Sequence, residues 1–376
     1  MSFPIVYKLG TEPIIDHVFS SSGDVLAITV GNSVKLYKVK GLSKPELFAE
    51  LKGHNKTVTS VDISPDGSRI LTCSQDRNAL VWEMCEGEYK PTLVLLRINR
   101  AATICRWSPL GDKFAVGSSD RIIAVCYYEE ENDWWVSKHL KKPLKSTITS
   151  LYWHPNNVLL ACGSTDGHTR VFSTFIKGLD AKPEATAWGS KLPFQTLCSD
   201  FVSETGAWVH GVAFNATGEI LAFVNHDSSL NIVYPQGEGL PPLAYHLVKT
   251  SHLPFRSLVF VNDNKIAAAG NDNVLVVFEG DQNGWKELGP TEKILDPIVK
   301  HSSTLRSADD DDDEISSHDA LNMFKQLDLR GRVTKTTTGG ANQSTSHQNT
   351  ITSVKLYSLS HVSTSGDDGR VVVYKV

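Results

Sequence analysis

The sequence predicts an all-β protein, a seven-bladed β-propeller with a helical insertion between blades six and seven. Two observations lead to this expectation. A unit of three short strands joined by turn residues recurs along the chain, and each copy holds a turn residue at a fixed distance from the end of its third strand. Because no single copy can bury both faces of its own sheet, we expect the copies to stack around a common axis.

The repeating unit is clearest in residues 58–84. Residues 58–63 alternate apolar with small or polar side chains, which is the period of a half-buried strand. The Ser-Pro-Asp-Gly sequence that follows is typical of a turn, because proline presets φ and glycine supplies a positive φ. Residues 69–73 and 79–82 are predicted as the second and third strands, with a tight turn between them at 74–76.

Each unit carries a turn residue six positions before the apolar end of its third strand. The seven pairs are Gly31 and Tyr37, Asp76 and Trp82, Asp120 and Cys126, Asp166 and Phe172, Asp227 and Val233, Asp272 and Phe278, and Asp368 and Tyr374. Successive copies lie 44–46 residues apart, except for two longer gaps of 61 and 96 residues. A period of about 40–45 residues with four strands per unit is typical of propeller blades. The longer gaps indicate insertions.

The chain resembles the WD40 family over nearly its whole length. Gly53-His54 matches the family's Gly-His pair, and Trp82-Glu83 is the nearest match to its Trp-Asp pair. The resemblance implies two hydrogen-bonded tetrads, which are His54, Thr72, Asp76 and Trp82 in the second unit and His347, Thr364, Asp368 and Tyr374 in the last. Similar residue types also form catalytic hydroxyl, histidine and aspartate triads. We expect the structural role, in which each tetrad ties a turn to the neighbouring loop and pairs buried polar groups.

The two ends of the chain are predicted to meet. Residues 3–9 form a strand with no partner in the first unit, and the last unit ends at Val376 with its third strand and lacks a fourth. We therefore expect residues 1–376 to form a single propeller in which strand 3–9 closes the last blade, since closure removes exposed sheet edges. In the second unit, the outer strand is predicted at 92–96.

Composition indicates a soluble globular protein and argues against several functions. The chain has 40% hydrophobic and 21% charged residues and a net charge of −5, with scattered Lys and Arg, so we expect no nucleic acid partner. It has no signal-peptide pattern and no run of about 20 apolar residues, so we expect neither secretion nor membrane insertion. The six cysteines form no C-x-x-C pair, and free thiols in a reducing cytoplasm are expected rather than disulfides or metal ligands.

Four lysines form a small basic cluster near the fourth unit, at Lys138, Lys141, Lys142 and Lys145. A solvated rim is the simpler interpretation of such a cluster. An acidic segment of a partner is the functional alternative.

A loop in the fourth unit carries a more specific resemblance. The chain between Phe172 and Trp208 is long, and it contains Trp-Gly-Ser-Lys-Leu-Pro-Phe at residues 188–194. A loop of this kind can simply pack on its own side chains. Together with the repeat spacing and the late insertion, however, this stretch resembles the family of WD40 subunits of the actin-related protein 2/3 complex. The resemblance covers essentially the full chain and implies a subunit of a complex that nucleates branched actin filaments.

The second insertion, residues 290–347, contains a predicted amphipathic helix at 316–329. An acidic run at 309–314 precedes it, and a Gly- and Ser-rich stretch at 339–346 follows it. Ser316 with Asp319 is similar to a capping box. The helix presents four apolar side chains, Leu321, Met323, Phe324 and Leu327.

A helix of about 14 residues is only marginally stable alone in water, so its apolar face needs a cover. It either folds back on the propeller or docks into a groove of a partner. The resemblance implies that it contacts actin, because the insertion of the family carries an actin-binding helix. The match is confined to the core of Phe324, Leu327 and Asp328.

No motif of an enzyme or of a cofactor site occurs in the chain. Phosphate-binding glycine loops, H-E-x-x-H and G-x-S-x-G are all missing. The aspartates that could be catalytic, such as Asp76 and Asp120, are placed by the repeat. We therefore expect a protein that is not an enzyme and that needs no cofactor or metal.

Two non-enzymatic functions remain. The first is the scaffold subunit implied by the resemblance, with the other subunits, the actin filament and nucleation-promoting activators as partners. That function would place the chain in the cytoplasm at actin networks, such as cortical patches or lamellar networks. The second is a peptide-binding WD40 adaptor, such as a ubiquitin-ligase substrate receptor. Propellers host many functions, so the fold alone favours neither.

Overall fold

The computed structural model describes residues 4–189, 192–292 and 345–376. This part of the chain contains strands and no helix, and it forms seven antiparallel sheets of four strands each. The predicted all-β, seven-bladed propeller is thereby confirmed. The helix predicted at 316–329 lies outside the described residues. No helix that could cross a membrane is found in the described ranges.

Blades one to four follow one another along the chain. Blade one consists of β2 (Ile14–Phe19), β3 (Val25–Val30), β4 (Ser33–Lys38) and β5 (Glu46–Lys52). Blade two consists of β6 (Val58–Ile63), β7 (Arg69–Ser74), β8 (Ala79–Cys85) and β9 (Glu88–Val94). Blade three consists of β10 (Ala102–Trp107), β11 (Lys113–Ser118), β12 (Ile123–Glu129) and β13 (Trp134–Leu140). Blade four consists of β14 (Ile148–Trp153), β15 (Leu159–Ser164), β16 (His168–Ser173) and β17 (Leu197–Val202).

Blades five and six repeat this order, and blade seven draws on both ends of the chain. Blade five consists of β18 (Val209–Phe214), β19 (Leu221–Asn225), β20 (Ser229–Tyr234) and β21 (Ala244–Lys249). Blade six consists of β22 (Phe255–Asn262), β23 (Lys265–Gly270), β24 (Leu275–Asp281) and β25 (Gly284–Pro290). Blade seven consists of β26 (Ile351–Ser358), β27 (His361–Gly366), β28 (Arg370–Lys375) and β1 (Ile5–Lys8).

β1 is the outer strand of blade seven. It pairs antiparallel with β28, with Ile5 opposite Val373 and Lys8 opposite Arg370. Tyr7 on β1 is 5% exposed and packs with residues of blade one such as Leu26. The strand is therefore held both by its hydrogen bonds to β28 and by an apolar contact with the first blade.

The outer strand of blade two was predicted too late in the chain. It spans Glu88–Val94 rather than 92–96. Glu86 and Gly87 form a two-residue turn with φ of 54° and 90°, so pairing resumes at once with Cys85 opposite Glu88. Turns with two positive φ values match the twist of a hairpin. Pro91 is tolerated because an outer strand leaves one edge unpaired.

The core lies between adjacent blades. The inner strands β2, β6, β10, β14, β18, β22 and β26 follow one another around a central channel, and β26 meets β2. On the face of blade three that meets blade two, the Trp107 ring lies 5.0 Å from Phe114 and 5.8 Å from Trp135, and these rings pack with Leu71 and Val81 of blade two. Aromatic pairs in such edge contacts are worth about 0.5–1.5 kcal/mol beyond their buried area. Each sheet thus covers the apolar face of its neighbours.

The long loop of blade four is pinned to the blades on either side. Asp180 pairs with Lys113 of blade three, and both side chains are almost fully buried. Trp188 is 1% exposed, and its indole N–H donates to the Gly218 carbonyl of blade five at 2.7 Å. Its ring packs 5.5 Å from Phe214. The tryptophan of the distinctive loop motif is therefore a packing anchor rather than an exposed contact.

All six cysteines are free. Cys73, Cys105, Cys126 and Cys162 are buried, and burial raises the pKa of Cys162 to about 12. A buried thiol with a raised pKa holds little thiolate and is chemically inert. These cysteines act as small apolar core residues.

Candidate functional site

The tetrad of blade two is a continuous chain of hydrogen bonds. The indole N–H of Trp82 donates to Thr72 Oγ1 at 3.0 Å, and Thr72 Oγ1 lies 2.8 Å from His54 Nε2. His54 Nδ1 lies 3.0 Å from Asp76 Oδ2. The four residues come from β7, β8, the turn between them and the loop before β6. The tetrad therefore ties the two central strands of the blade to that loop.

Electrostatics fixes the direction of these bonds. Burial lowers the pKa of His54 below its ordinary value, although Asp76 favours the protonated ring. Burial opposes ionisation of Asp76, but the backbone N–H groups of Asn55 and Asn78 lower its pKa. A neutral imidazole then donates from Nδ1 to Asp76 and accepts the Thr72 hydroxyl at Nε2. Thr72 is fully buried, so its hydroxyl cannot meet a substrate.

The tetrad of blade seven is only partly formed. His347 Nδ1 lies 3.1 Å from Asp368, and His347 Nε2 lies 2.7 Å from Thr364 Oγ1. The Tyr374 hydroxyl is buried near Thr364 and Ser346 but makes no hydrogen bond with the described residues. Tyr374 as the fourth member of this tetrad therefore stays a prediction. Burial raises the pKa of Tyr374 well above its usual range.

The repeated aspartate anchors the loop before the inner strand in most blades. Its carboxylate accepts a backbone N–H from that loop in five blades, from Asn55, Asn99, Lys145, Leu253 and Gln348. Blade six adds a pair that the sequence analysis missed, in which His252 Nδ1 lies 3.0 Å from Asp272 Oδ2. The sequence does contain a signal for this pair, since His252 precedes Asp272 by 20 residues, which is close to the spacing of His54 and Asp76.

Replacing His54 with alanine is expected to lower the free energy of unfolding by about 1–3 kcal/mol, because Asp76 and Thr72 lose a buried partner. Binding of partners should be unchanged in the folded protein. Denaturant titration of the variant checks this, with His246→Ala, a histidine on the outer strand β21, as the milder control. Wild-type stability combined with lost binding would instead make His54 part of a functional site.

The end of the ring that carries the repeated aspartates, which we call the aspartate face, has a basic rim over blades two to four. Its members are Lys56, Arg77, Arg100, Arg121, Lys141, Lys142 and Lys145. Lys56, Arg77 and Arg100 line a surface cavity of about 710 Å³ between blades two and three. Of the predicted lysine cluster, Lys138 lies apart, with its ammonium 5.6 Å from the Tyr127 ring.

Two arginines of the basic rim occupy strained backbone positions. Arg77 and Arg121 follow the repeated aspartate with φ of 73° and 60°. The same turn position holds Gly167 in blade four, Ser228 in blade five, Asn273 in blade six and Gly369 in blade seven, all with positive φ. A side chain in this left-handed region is unfavourable relative to glycine. The turn imposes a positive φ in six blades, and blades two and three are set apart by the cationic side chain that they place there. This rim is therefore a candidate contact site for an acidic segment.

The central channel holds a buried cluster of charges that the sequence analysis also missed. Asp16 on β2 accepts hydrogen bonds from Ser60 at 2.7 Å and from Ser353 at 3.0 Å. Arg106 Nη1 lies 3.0 Å from its Oδ2, and Lys355 Nζ lies 3.3 Å from its Oδ1. One carboxylate therefore joins the inner strands of blades one, two, three and seven.

Burial opposes ionisation of Asp16, but Arg106, Lys355 and the Ser60 hydroxyl hold its pKa well below the usual range. Arg106 and Lys355 each occupy the fifth position of an inner strand. Aligning the repeats would have shown this shared position. Within the described ranges, no group of His, Cys, Asp and Glu side chains could hold a metal ion. The predicted helix residues Leu321, Met323, Phe324 and Leu327 lie outside the described part.

Comparison with known proteins agrees with the fold. The sequence model described as "WD domain, G-beta repeat" matches residues 45–83, and that of the anaphase-promoting complex subunit 4 WD40 domain matches residues 101–179. Actin-related protein 2/3 complex subunit 1 of Saccharomyces cerevisiae is 45% identical, over 99% of this chain and 97% of its own. The protein of that name in Schizosaccharomyces pombe is 43% identical, over 96% and 97%.

A vertebrate relative shows the same extent of similarity. Subunit 1A-B of the actin-related protein 2/3 complex of Xenopus laevis is 42% identical, over 96% of this chain and 94% of its own. Identity above 40% along nearly the full length of both partners leaves no large region of the propeller unmatched. The chain therefore belongs to the family of actin-related protein 2/3 complex subunit 1.

Proposed function

We propose that this chain is a non-catalytic scaffold subunit of an actin-related protein 2/3 complex, which supports nucleation of branched actin filaments and contacts actin through its insertion helix. The main support is 42–45% sequence identity, over nearly the full length, to proteins named as subunit 1 of that complex. This function places the chain in the cytoplasm, at actin networks such as cortical patches or lamellar networks.

The arrangement of polar groups supports a scaffold rather than an enzyme. The His54, Thr72 and Asp76 set is buried and fully engaged in holding the blade together. The channel carboxylate of Asp16 is likewise committed to structural partners. A catalytic group must reach a substrate, and these residues do not.

Purification from the source cell followed by mass spectrometry tests the assembly. We expect a fixed set of co-purifying subunits that includes actin-related chains. A monomer with exchanging partners would instead favour the peptide-binding adaptor, such as a ubiquitin-ligase substrate receptor.

The actin contact rests on the chain between β25 and β26. Glu292 and Thr345 bound the described propeller at this point, and residues 293–344 carry the predicted helix at 316–329. Met323, Phe324 and Leu327 would contribute about 1.5–3 kcal/mol each if buried against a partner, before ordering costs. A hydrophobic groove of actin is the partner that the family implies.

Changing Phe324 and Leu327 together to alanine is expected to weaken binding to the side of the filament and to reduce branch formation. The melting temperature of the propeller and the assembly of the complex should stay unchanged. The measurements are filament co-sedimentation of the reconstituted complex and branch counting by fluorescence microscopy.

Gln326→Ala is the matched control, because this polar residue lies off the apolar face of the predicted helix. It should leave filament binding and branching at wild-type levels. Unchanged binding by the double variant would contradict the actin contact. A large drop in melting temperature would show that the helix instead packs on its own propeller.

The basic rim supports a second contact, with an acidic segment of an activator protein. Arg77 and Arg121 place long cationic side chains at a turn position where blades four and seven use glycine. Arg77→Asn with Arg100→Gln is expected to weaken binding of an acidic activator peptide at least about tenfold, because two cations are lost. Stability should be kept or slightly raised, since asparagine tolerates a positive φ. Fluorescence anisotropy measures the affinity, and equal binding by the variant would exclude the rim.

A further inference from the structure

A repeated hydrogen bond joins the inner strands around the channel. The second residue of an inner strand is threonine in four blades, and its hydroxyl donates to the first carbonyl of the next inner strand. The pairs are Thr59 with Ala102 at 3.0 Å, Thr103 with Ile148 at 2.6 Å, Thr149 with Val209 at 2.5 Å, and Thr352 with Ile14 at 2.6 Å. We call this contact the threonine link.

The other three blades place other side chains at this position, which in blade one is Ile15. The second residue of β18 is His210, and that of β22 is Arg256. Both line the cavity of the central channel, whose volume is about 710 Å³. Two neighbouring blades thus lack the threonine hydroxyl and its hydrogen bond. They instead place a histidine and an arginine side chain at the mouth of the channel.

These side chains are not neutralised by their surroundings. Within the described chain, the side chain of Arg256 makes no hydrogen bond or ion pair. His210 Nε2 lies 2.9 Å from His226 Nδ1, which gives it a histidine and not a carboxylate as partner. Burial lowers the pKa of His210 to about 4, with the His226 and Arg256 charges acting in the same direction. His210 is therefore neutral at pH 7, and with Nε2 paired to His226, Nδ1 is the ring nitrogen left for a hydrogen bond to a ligand.

Deeper in the same cavity lies a second cationic group. Arg106 uses Nη1 for its bonds to Asp16, Ser60 and Cys105. Its Nε and Nη2 make no hydrogen bond within the described part of the chain. Arg106 is three positions further along its inner strand than the threonine link, or roughly 10 Å at 3.3 Å per residue. Lys355 lies beside it, across Asp16.

We infer that the central channel binds a small polyanion, which carries phosphate or carboxylate groups and bridges Arg256 with His210 at the mouth to Arg106 deeper in the cavity. Charge supports this. Three cationic side chains, Arg106, Arg256 and Lys355, line the cavity against two carboxylates, Asp16 and Asp62, which leaves a net positive charge. The volume lies within the range of about 300–1,000 Å³ that is typical of small-molecule sites.

The test is calorimetric titration of the full chain at low ionic strength, with tripolyphosphate and citrate as separate probes and orthophosphate as the short comparison. We expect binding of one tripolyphosphate or citrate per chain, and much weaker binding of orthophosphate, which cannot span both groups. Binding of tripolyphosphate alone would identify a phosphate ligand, and binding of citrate alone a carboxylate ligand.

The decisive variant is H210T combined with R256T, which restores the residue of the threonine link. Its melting temperature should equal or exceed that of the wild type, because hydroxyls gain the Phe255 and Ile351 carbonyls as acceptors. Its affinity for the probe should fall at least about tenfold, since a charge-assisted contact is lost.

The control is Arg77→Asn with Arg100→Gln on the basic rim, which should bind the probe like the wild type. Loss of binding in this control, with retention in H210T and R256T, would place the anion on the rim and overturn the inference. Absence of binding of both polyanions, or several equivalents per chain, would overturn it as well.

Discussion

Replacing Asp16 with asparagine is expected to lower the free energy of unfolding by about 3–5 kcal/mol, the typical result of removing one partner of a buried ion pair. The change keeps the shape of the side chain but leaves Arg106 and Lys355 without their shared counter-charge. Because inner strands of four blades meet at this carboxylate, the loss should destabilise the ring as a whole. Denaturant titration of the purified chain measures the change.

Asp24→Asn is the matched control, because Asp24 is exposed and such substitutions change stability by at most about 0.5 kcal/mol. Adding Lys355→Met to the Asp16 variant should recover part of the loss, since one unpaired buried cation is removed. A double-mutant cycle isolates this coupling. A change below about 1 kcal/mol for the Asp16 variant would show that water replaces the carboxylate without strain.

Removing residues 1–9 is expected to lower the melting temperature strongly and to promote aggregation. The deletion takes away β1, which leaves the edge of β28 unpaired and open to other chains. It also uncovers the apolar surface around Tyr7, and burial of one aromatic side chain is alone worth about 3–5 kcal/mol. Thermal unfolding and light scattering of the truncated chain check both effects.

Two point variants separate packing from strand pairing. Tyr7→Ala should reproduce most of the loss in melting temperature, whereas Val6→Ala should have little effect, because Val6 on the same strand is 36% exposed. Equal solubility and an unchanged melting temperature after removal of residues 1–9 would refute the role of β1 in holding the ring together.

The repeat could be predicted because its signals are local. A turn such as Ser74–Arg77 needs particular residues at particular places, so Asp76 and its six counterparts reveal the blades by spacing alone. The ends of a strand were harder to predict from the sequence where backbone geometry, rather than residue composition, sets them. In blade two, the positive φ of Glu86 and Gly87 starts the outer strand early, although glutamate does not favour that conformation.

The ion pairs of the channel could not be predicted, even though aligned repeats show the shared position of Arg106 and Lys355, because they form only when all blades are in place. Asp16 and Lys355 are separated by nearly the whole chain, yet the ring brings their charges to 3.3 Å. Taken alone, each is a charged residue on a short strand, and a charged residue is ordinarily expected to be exposed to solvent. The role of Trp188 was hidden for a similar reason, because its acceptor, the Gly218 carbonyl, belongs to the next blade.

The pairing of β1 with β28 also sets the timing of assembly during synthesis. β1 leaves the ribosome long before its partner, since about 360 residues separate them. At about 5–20 residues per second, the interval is roughly 20–70 s. Blades one to six can form their own hairpins as they emerge, but the side of blade one that faces blade seven stays uncovered until residues 351–375 are made. The period in which the nascent chain needs protection from aggregation is therefore set by translation and not by the folding rate of any blade.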